Sequence, residues 1–314
     1  MAQMWYYKTI KKAQHCRIDT KRRQVKEHGA CRSGKAIPKH DQKENGLKGE
    51  QMEYISSAYT DKGNVKKTNE DSLSVRIASL DQGQVLMAVV CDGVGGFAKG
   101  ELASGMVIQG FDRWFENDLK RLMKAFTWQA LEREWRSLIN RLNDQIVDYG
   151  FDHRTTLGTT VAATLMFQQK ALVLNVGDSR VYRIRESLEQ LTKDQSLVQF
   201  EVDHGRLEVE DMEKDPRRNL LLQCVGAKRI LHPALTMETV ETNRIWFLCS
   251  DGFRHTLTEK EIVQALSLKK LKTTETMRKQ LSKLVKKVKL RKERDNISVI
   301  AIKTIAMQGG DDGQ

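Results

Sequence analysis

The hydrophobic pattern along this chain changes character at Met52. Residues 1–50 keep no sustained period. After them, MEYISSAYT (52–60) and DSLSVRIAS (71–79) alternate apolar and polar positions, as half-buried strands do. VLMAVVCD (85–92) is a continuous apolar run, which predicts a strand covered on both faces. Residues 98–118 and 126–148 switch to helical spacing, with Trp114, Phe115, Leu119 and Leu122 along one stripe and Leu131, Trp135, Leu138 and Leu142 along another. TTVAATLMF (159–167), KALVLNVGD (170–178) and RVYRIR (180–185) predict three successive strands joined by tight turns. Residues 194–215 read as helical and strongly polar. RIWFLCSDG (244–252) predicts a strand, residues 259–289 two helices, and NISVIAIKTI (296–305) a closing strand. Strands and helices come in blocks, without internal repeats. That predicts an α+β fold, antiparallel sheets with helices layered outside.

Charge divides the chain more sharply than composition does. The net charge is +12 over 314 residues, yet residues 1–50 alone hold 13 Lys/Arg against 5 Asp/Glu. The body is nearly balanced, and the basic character belongs largely to a solvated N-terminal extension. Such a tail could touch nucleic acid, anionic lipid or an acidic partner, but it has no groove-reading motif and few interleaved aromatics. A second basic stretch, Lys269 to Arg294, holds 12 Lys/Arg and 2 Glu. Leu281, Leu284, Val285 and Val288 give it an apolar stripe, so it reads as an amphipathic helix with a basic solvated face, or a docking face for acidic phosphopeptides or nucleic acid. The five cysteines, at 16, 31, 91, 224 and 249, form no CxxC pair and suggest a reducing compartment. There is no secretory leader and no apolar run of membrane-spanning length, so the expected location is the cytoplasm.

The candidate chemistry lies where apolar runs meet turns. Asp92 ends VVCD, Asp251 follows FLCS, Asp295 opens DNISVIAI, Asp178 sits in LNVGDSR, and Glu70–Asp71 sit in TNEDSLSV before another strand. A single Asp at a strand end usually caps a turn. Six clustered carboxylates would repel one another and raise each other's pKa unless a cation neutralised them. An all-oxygen donor set suits hard cations such as Mg²⁺ or Mn²⁺. Gly93, Gly95 and Gly96 after Asp92 would let the backbone bend sharply and a ligand approach closely.

An ordered series of segments then carries a resemblance: TDKGNVKKTNED (60–71), CDGVGG with GELAS (91–96, 100–104), LGTT (157–160), VGDSRVYRI (176–184), LTKDQS (191–196), the stretch 204–227, SDGF (250–253) and DNISVIAI (295–302). In that order the chain resembles the metal-dependent protein phosphatases of type 2C, of the bacterial kind. The resemblance implies a four-layer αββα sandwich, two central antiparallel sheets flanked by helices, with a metal centre in a cleft at one end. It implies that Asp92 bridges two Mn²⁺ or Mg²⁺ ions. Asp251 and Asp295 would hold one of them, and Glu70, with Asp71 near it, and the carbonyl of Gly93 the other. Asp178 would help bind a third. Asp92, Asp251 and Asp295 are the catalytic residues it implies, Lys66 is a phosphate contact, and 194–227 is a flap beside the site. The implied activity is hydrolysis of phosphoserine and phosphothreonine on proteins, by direct attack of a hydroxide bridging two ions. The implied partners are phosphorylated proteins and a cognate Ser/Thr kinase or its substrates, with no nucleic acid and no membrane span, the enzyme being a monomer. The domains expected are a basic, disordered extension (1–50), the catalytic domain (51–306) and a flexible tail (307–314).

Three departures from the family pattern stand out. Lys66 occupies a position where the family often has Arg, which keeps the charge and loses the bidentate fork. Val94 stands where many eukaryotic relatives have a His. KLRKER precedes Asp295 in place of small residues. A catalytically weak or dead phosphatase fold that binds partners is the rival reading. Two other motif fragments are weak. HCRIDTKR (15–22) fits a cysteine-phosphatase loop but has no glycine, and GACRSGKA (29–36) misses the Ser/Thr of a P-loop. His153 and His255 read as structural or exposed.

Overall fold

The computed structural model describes residues 51–94 and 99–306, together with the strand Tyr7–Thr9. Expectations for the rest of 1–50 (Cys16, Cys31 and both motif fragments included), for Gly95 and Gly96, and for 307–314 lie outside the described residues. The strands are β1 (Tyr7–Thr9), β2 (Met52–Asp61), β3 (Ser72–Leu80), β4 (Gly83–Cys91), β5 (Val161–Phe167), β6 (Lys170–Val176), β7 (Arg180–Ile184), β8 (Leu188–Gln190), β9 (Ala234–Thr239), β10 (Ile245–Cys249) and β11 (Ile297–Ala306). They form two antiparallel sheets, ordered β1-β3-β4-β5-β6-β9 and β2-β11-β10-β7-β8. The helices are α1 (Gly100–Asn117), α2 (Leu119–Leu122), α3 (Trp128–Asp152), α4 (Leu197–Asp203), α5 (Asp251–Arg254), α6 (Glu259–Ala265) and α7 (Thr274–Leu290).

The continuous apolar runs explain the layering. Along β4, Val85, Met87, Val89 and Cys91 pack outward against α1 and α3, while Leu86, Ala88 and Val90 pack inward against the other sheet. β10 divides the same way. Trp246 and Leu248 enter the space between the sheets, and Ile245, Phe247 and Cys249 face Met277, Leu281, Leu284, Val285 and Val288 of α7. With a side-chain period of two, a strand buried on both faces must be apolar throughout. Three apolar layers therefore separate four layers of secondary structure, the αββα sandwich that the resemblance implied. The stripe on α7 is buried and its basic residues face solvent, as its helical spacing predicted.

Two parts of the pattern were misleading. Residues 194–215 do not form one helix. α4 stops at Asp203, Gly205 turns with φ +66°, and a 3₁₀ segment, Val209–Lys214, follows. The helical spacing there has no apolar stripe to dock, so polar residues hold irregular backbone instead. β8 and β9 escaped the pattern because β8 has three residues and β9 is a largely exposed sheet edge.

Trp135 anchors the helical layer, fully buried and edge-on to Phe111 at 5.2 Å and Trp114 at 5.8 Å. Trp135→Ala should cost about 3–5 kcal/mol. Urea unfolding followed by circular dichroism checks this, and a loss under about 1 kcal/mol would mean that α3 is not held by this contact.

Candidate metal centre

Strand register brings the carboxylates to one end of the sandwich. β3 and β4 pair with Ser72 opposite Cys91, so Asp71 entering one strand and Asp92 leaving the next are neighbours. β10 and β11 pair with Cys249 opposite Val299, so Asp251 and Asp295 emerge together from the second sheet. Asp178 lies in the turn where the chain crosses from β6 to β7, at the end marked by the Val161–Val176 pair.

Hydrogen bonds then stitch the two sheets at this end. Ser250 Oγ donates to Asp71 Oδ2 at 2.8 Å and accepts from the Ser298 N–H at 3.0 Å. Asn296 Oδ1 accepts from the Glu70 N–H at 2.8 Å, and its Nδ2 donates to the carbonyls of Lys62 (2.9 Å) and Thr68 (3.1 Å). Asp92 is fixed by its main chain. Its N–H donates to Thr160 Oγ1 at 3.0 Å, and its carbonyl accepts from Thr160 N–H at 2.8 Å and Thr159 Oγ1 at 2.9 Å. Two glycines permit the close approach. A Cβ on Gly93 would stand 2.6 Å from the Gly100 carbonyl carbon, and one on Gly252 would stand 2.2 Å from the Asn296 carbonyl oxygen. Sequence reasoning singled out Gly93 but passed over Gly252, Ser250 and Asn296, whose roles come only from contacts across the sheets.

The electrostatics are those of crowded acids. Burial first, then the charges of Asp71, Asp251, Asp178 and Asp295, push the Asp92 carboxyl well above the ordinary range. Burial pushes Asp71 up to about 7, with Asp251 and Asp295 adding to it against hydrogen bonds from Ser298 and Ser250. Burial likewise pushes Asp178 up to about 7, with Asp251 adding to it and Arg254 opposing. Glu70 is raised by burial, against the pull of Lys66. Asp251 runs the other way. Burial opposes its charge, but His255 and Arg254 outweigh that and lower it. Protons therefore gather on Asp92, Asp71 and Asp178, and Asp251 keeps its charge. Lys66 reaches into the group, its ammonium 3.1 Å from Asp295 and 3.8 Å from Glu70. Burial works against that ammonium, yet the carboxylates outweigh it and raise its pKa.

Among the described residues, no three of these side chains close into a finished cage around one point. The donor set nevertheless fits a divalent cation. Asp71 Oδ1 and Asp251 Oδ1 are buried with no hydrogen-bond partner, an arrangement that is costly unless something cationic meets them. The ligand set is all oxygen, as hard cations prefer.

A second cluster, absent from the sequence reading, lies behind Asp251. Arg180 forms a two-pronged pair with Asp194 at 2.7 and 2.6 Å. Arg254, its side chain 9% exposed, reaches Asp194 at 3.7 Å and Glu213 of the 3₁₀ segment at 2.5 Å. His255 Nε2 lies 3.6 Å from Asp251 Oδ2, nearer the acids than its reading as a structural or exposed residue implied, while His153 stacks on Tyr149 at the exposed end of α3.

The family description that matches residues 63–287 is protein phosphatase 2C. The serine/threonine phosphatase stp of Listeria innocua is 30% identical over 257 residues, 81% of this chain and 97% of that protein. The solved structure of serine/threonine phosphatase Stp1 from Staphylococcus aureus superposes with a TM-score of 0.72 at 27% identity, covering 85% of this chain and all (100%) of that one. The catalytic domain of serine threonine protein phosphatase PstP, solved in complex with 2 manganese ions, gives 0.63 at 26% identity over 81% of this chain and 100% of that one.

The raised carboxyls fix how the metal-free protein responds to pH. Asp71 and Asp178 prefer the protonated form when folded, so their contribution is full below the ordinary carboxylate range and is lost as pH rises toward about 7. In EDTA the melting temperature should therefore fall between about pH 5 and about pH 7, and Mn²⁺ at the upper pH should restore it. A melting temperature that stays flat with pH in EDTA, and does not respond to Mn²⁺, would count against a crowded acid cluster.

Proposed function

The chain belongs to the protein phosphatase 2C family, and we propose that the acidic end of its sandwich is where it hydrolyses phosphoserine and phosphothreonine esters on proteins. The observation that carries this reading is the set of buried carboxylate oxygens left unpartnered at one end of both sheets. Asp92, Asp251 and Asp295, with Glu70, Asp71 and the Gly93 carbonyl, are the groups that would hold two Mn²⁺ or Mg²⁺ ions, and Asp178 would serve a third. Such ions, when bound, supply Lewis-acid activation of water and charge neutralisation at the phosphoryl oxygens. The chain's own residues do the positioning. Ser250 occupies one oxygen of Asp71 and leaves Oδ1 free to face a cation. Asn296 holds Glu70 and the loop carrying Lys66 against Asp295. Lys66 is the cation poised to meet phosphate oxygens, as a point charge. A binding module without catalysis would have no need of this set, and all six acids are present in the sequence.

The same proposal takes residues 51–306 as the catalytic domain, a monomer acting in the cytoplasm against a Ser/Thr kinase. The serine/threonine phosphatase relatives bear on the kinase alone, since a phosphoprotein substrate requires a kinase that makes it. Among the described residues no helix is long and apolar enough to cross a membrane.

The direct test is hydrolysis of a phosphothreonine peptide and of p-nitrophenyl phosphate in EDTA, Mg²⁺ and Mn²⁺. Activity should require Mg²⁺ or Mn²⁺ and fall to background in Asp92→Ala. A folded protein inert with every metal would return the partner-binding reading. Lys66→Ala should raise KM for the peptide about ten- to hundredfold with a smaller change in kcat, as loss of one charged contact does. Lys66→Arg should keep or improve KM. If Lys66→Ala leaves KM untouched, Lys66 is a structural partner of Asp295 only.

A further inference from the structure

The two segments that frame the acid cluster, residues 62–67 and 289–294, form a single rigid rim. Asn64 Nδ2 donates to the Lys289 carbonyl at 2.8 Å, and Lys289 Nζ reaches both oxygens of Asp61 at 2.9 and 3.0 Å. Asn296 holds the Lys62 carbonyl, and Gly63, with φ +75°, packs so closely on Asp295 that a Cβ would stand 2.3 Å from its carbonyl oxygen. The rim thus moves with Asp295.

Its charges are unevenly spent. Lys66 is paired with Asp295, Lys289 with Asp61, and Lys287 and Arg291 with Glu261. Glu293 accepts from two backbone N–H groups, those of Arg294 and Asp295. Glu293, the one acid within the two segments, is thus engaged, and it also lies 3.8 Å from His255 Nδ1. Lys62, Lys67, Lys292 and Arg294 remain, exposed and without an ion-pair partner among the described residues. Two large apolar side chains sit in the same segments, Val65 at 55% exposure and Leu290 at 83%. Exposed lysines alone are an ordinary solvated surface. Four unspent cations with two exposed apolar side chains, on a rigid frame around the proposed reaction centre, are a different matter.

We propose that this rim is a docking surface for the peptide around the phosphorylated residue, and that it selects substrates with Asp or Glu beside the phosphoserine or phosphothreonine and an apolar residue alongside. This rests on the phosphatase reading above. Complementary charge at a rim acts through encounter and local concentration more than through tight contacts, so its signature is in KM, falls with salt, and leaves kcat for a small substrate unaffected.

The test uses the full chain with Mn²⁺ and two phosphothreonine peptides, one flanked by Asp/Glu and one by Lys/Arg. Wild type should prefer the acidic peptide by about tenfold or more in kcat/KM, mostly through KM, with the preference shrinking in high salt. The K62E/K67E/K292E/R294E variant should abolish or invert that preference and keep the wild-type kcat for p-nitrophenyl phosphate at saturating concentration. Leu290→Asp should weaken the acidic peptide alone. Equal use of both peptides by wild type, or a preference that survives the four substitutions, would overturn the proposal. So would a variant that loses heparin binding yet keeps the peptide ratio, which would mark a general polyanion surface. If the four-site variant loses p-nitrophenyl phosphate hydrolysis, Lys62→Gln with Lys67→Gln leaves the 289–294 turn intact and decides by the same ratio. Failure of wild type to hydrolyse p-nitrophenyl phosphate with any metal would instead sink the phosphatase reading, a distinct outcome.

Discussion

Like charges must be held together at the end of this sandwich, and most of the local structure can be traced to that constraint. Asp71, Asp92, Asp178, Asp251 and Asp295 feel one another strongly enough to move several of their pKa values. Left to itself such a group would splay apart. Two sheets whose apolar faces are locked over Leu86, Val90, Trp246, Leu248 and Ile300 fix the strand ends that deliver the acids. Ser250 and Asn296 then bind one sheet's acids to the other sheet's backbone. The burial that makes the charges costly is the same burial that keeps them in register. Burying unpaired charge destabilises a protein. Here that cost is concentrated where a bound cation would reverse it.

The architecture was legible because it is written in periodicity. The runs VLMAVVCD and IWFLC have no polar face, so they could only be strands covered on both sides, and the stripes on α1, α3 and α7 showed which faces docked. The acids were legible as well, since a carboxylate at the end of an apolar run stands out. What lacked a signal was anything created by contact between distant segments. Gly252 looks like any turn glycine until Asn296 is placed against it. Arg254 looks like a surface cation until β7 brings Arg180 and Asp194 beneath it. The segment 194–215 misled for a related reason. Its polar spacing suits a helix, but tertiary pairs such as Arg254–Glu213 set its backbone instead.

The cations around the acid cluster divide into two kinds with different physics. Arg254 and Arg180 are buried behind the acids, share Asp194, and cannot leave without stranding charge. Arg254 even keeps one buried donor, Nε, unpartnered. Burial opposes charge on Asp251, and His255 together with Arg254 outweighs it and keeps that carboxylate ionised, while Arg180 holds Asp194 behind them. The cations of the outer rim are solvated and contribute little to stability one by one. Lys66 belongs to both groups, paired inward with Asp295 and Glu70 but a third exposed along its side chain.

That division bears on how selectivity and catalysis can coexist in one small cleft. Carboxylates fixed by backbone hydrogen bonds and glycine contacts leave little room for change, because a single Cβ at Gly93 or Gly252 would displace them. Solvated lysines on a frame tied down by Asn64 and Asn296 can change identity without moving Asp295. The basic stretch before Asp295 lies on that frame, so under the proposed docking role its charges could change while the geometry of the acids stays fixed. On the proposed docking role of the rim, charge there would retune which phosphopeptides bind and leave the acid cluster unaltered.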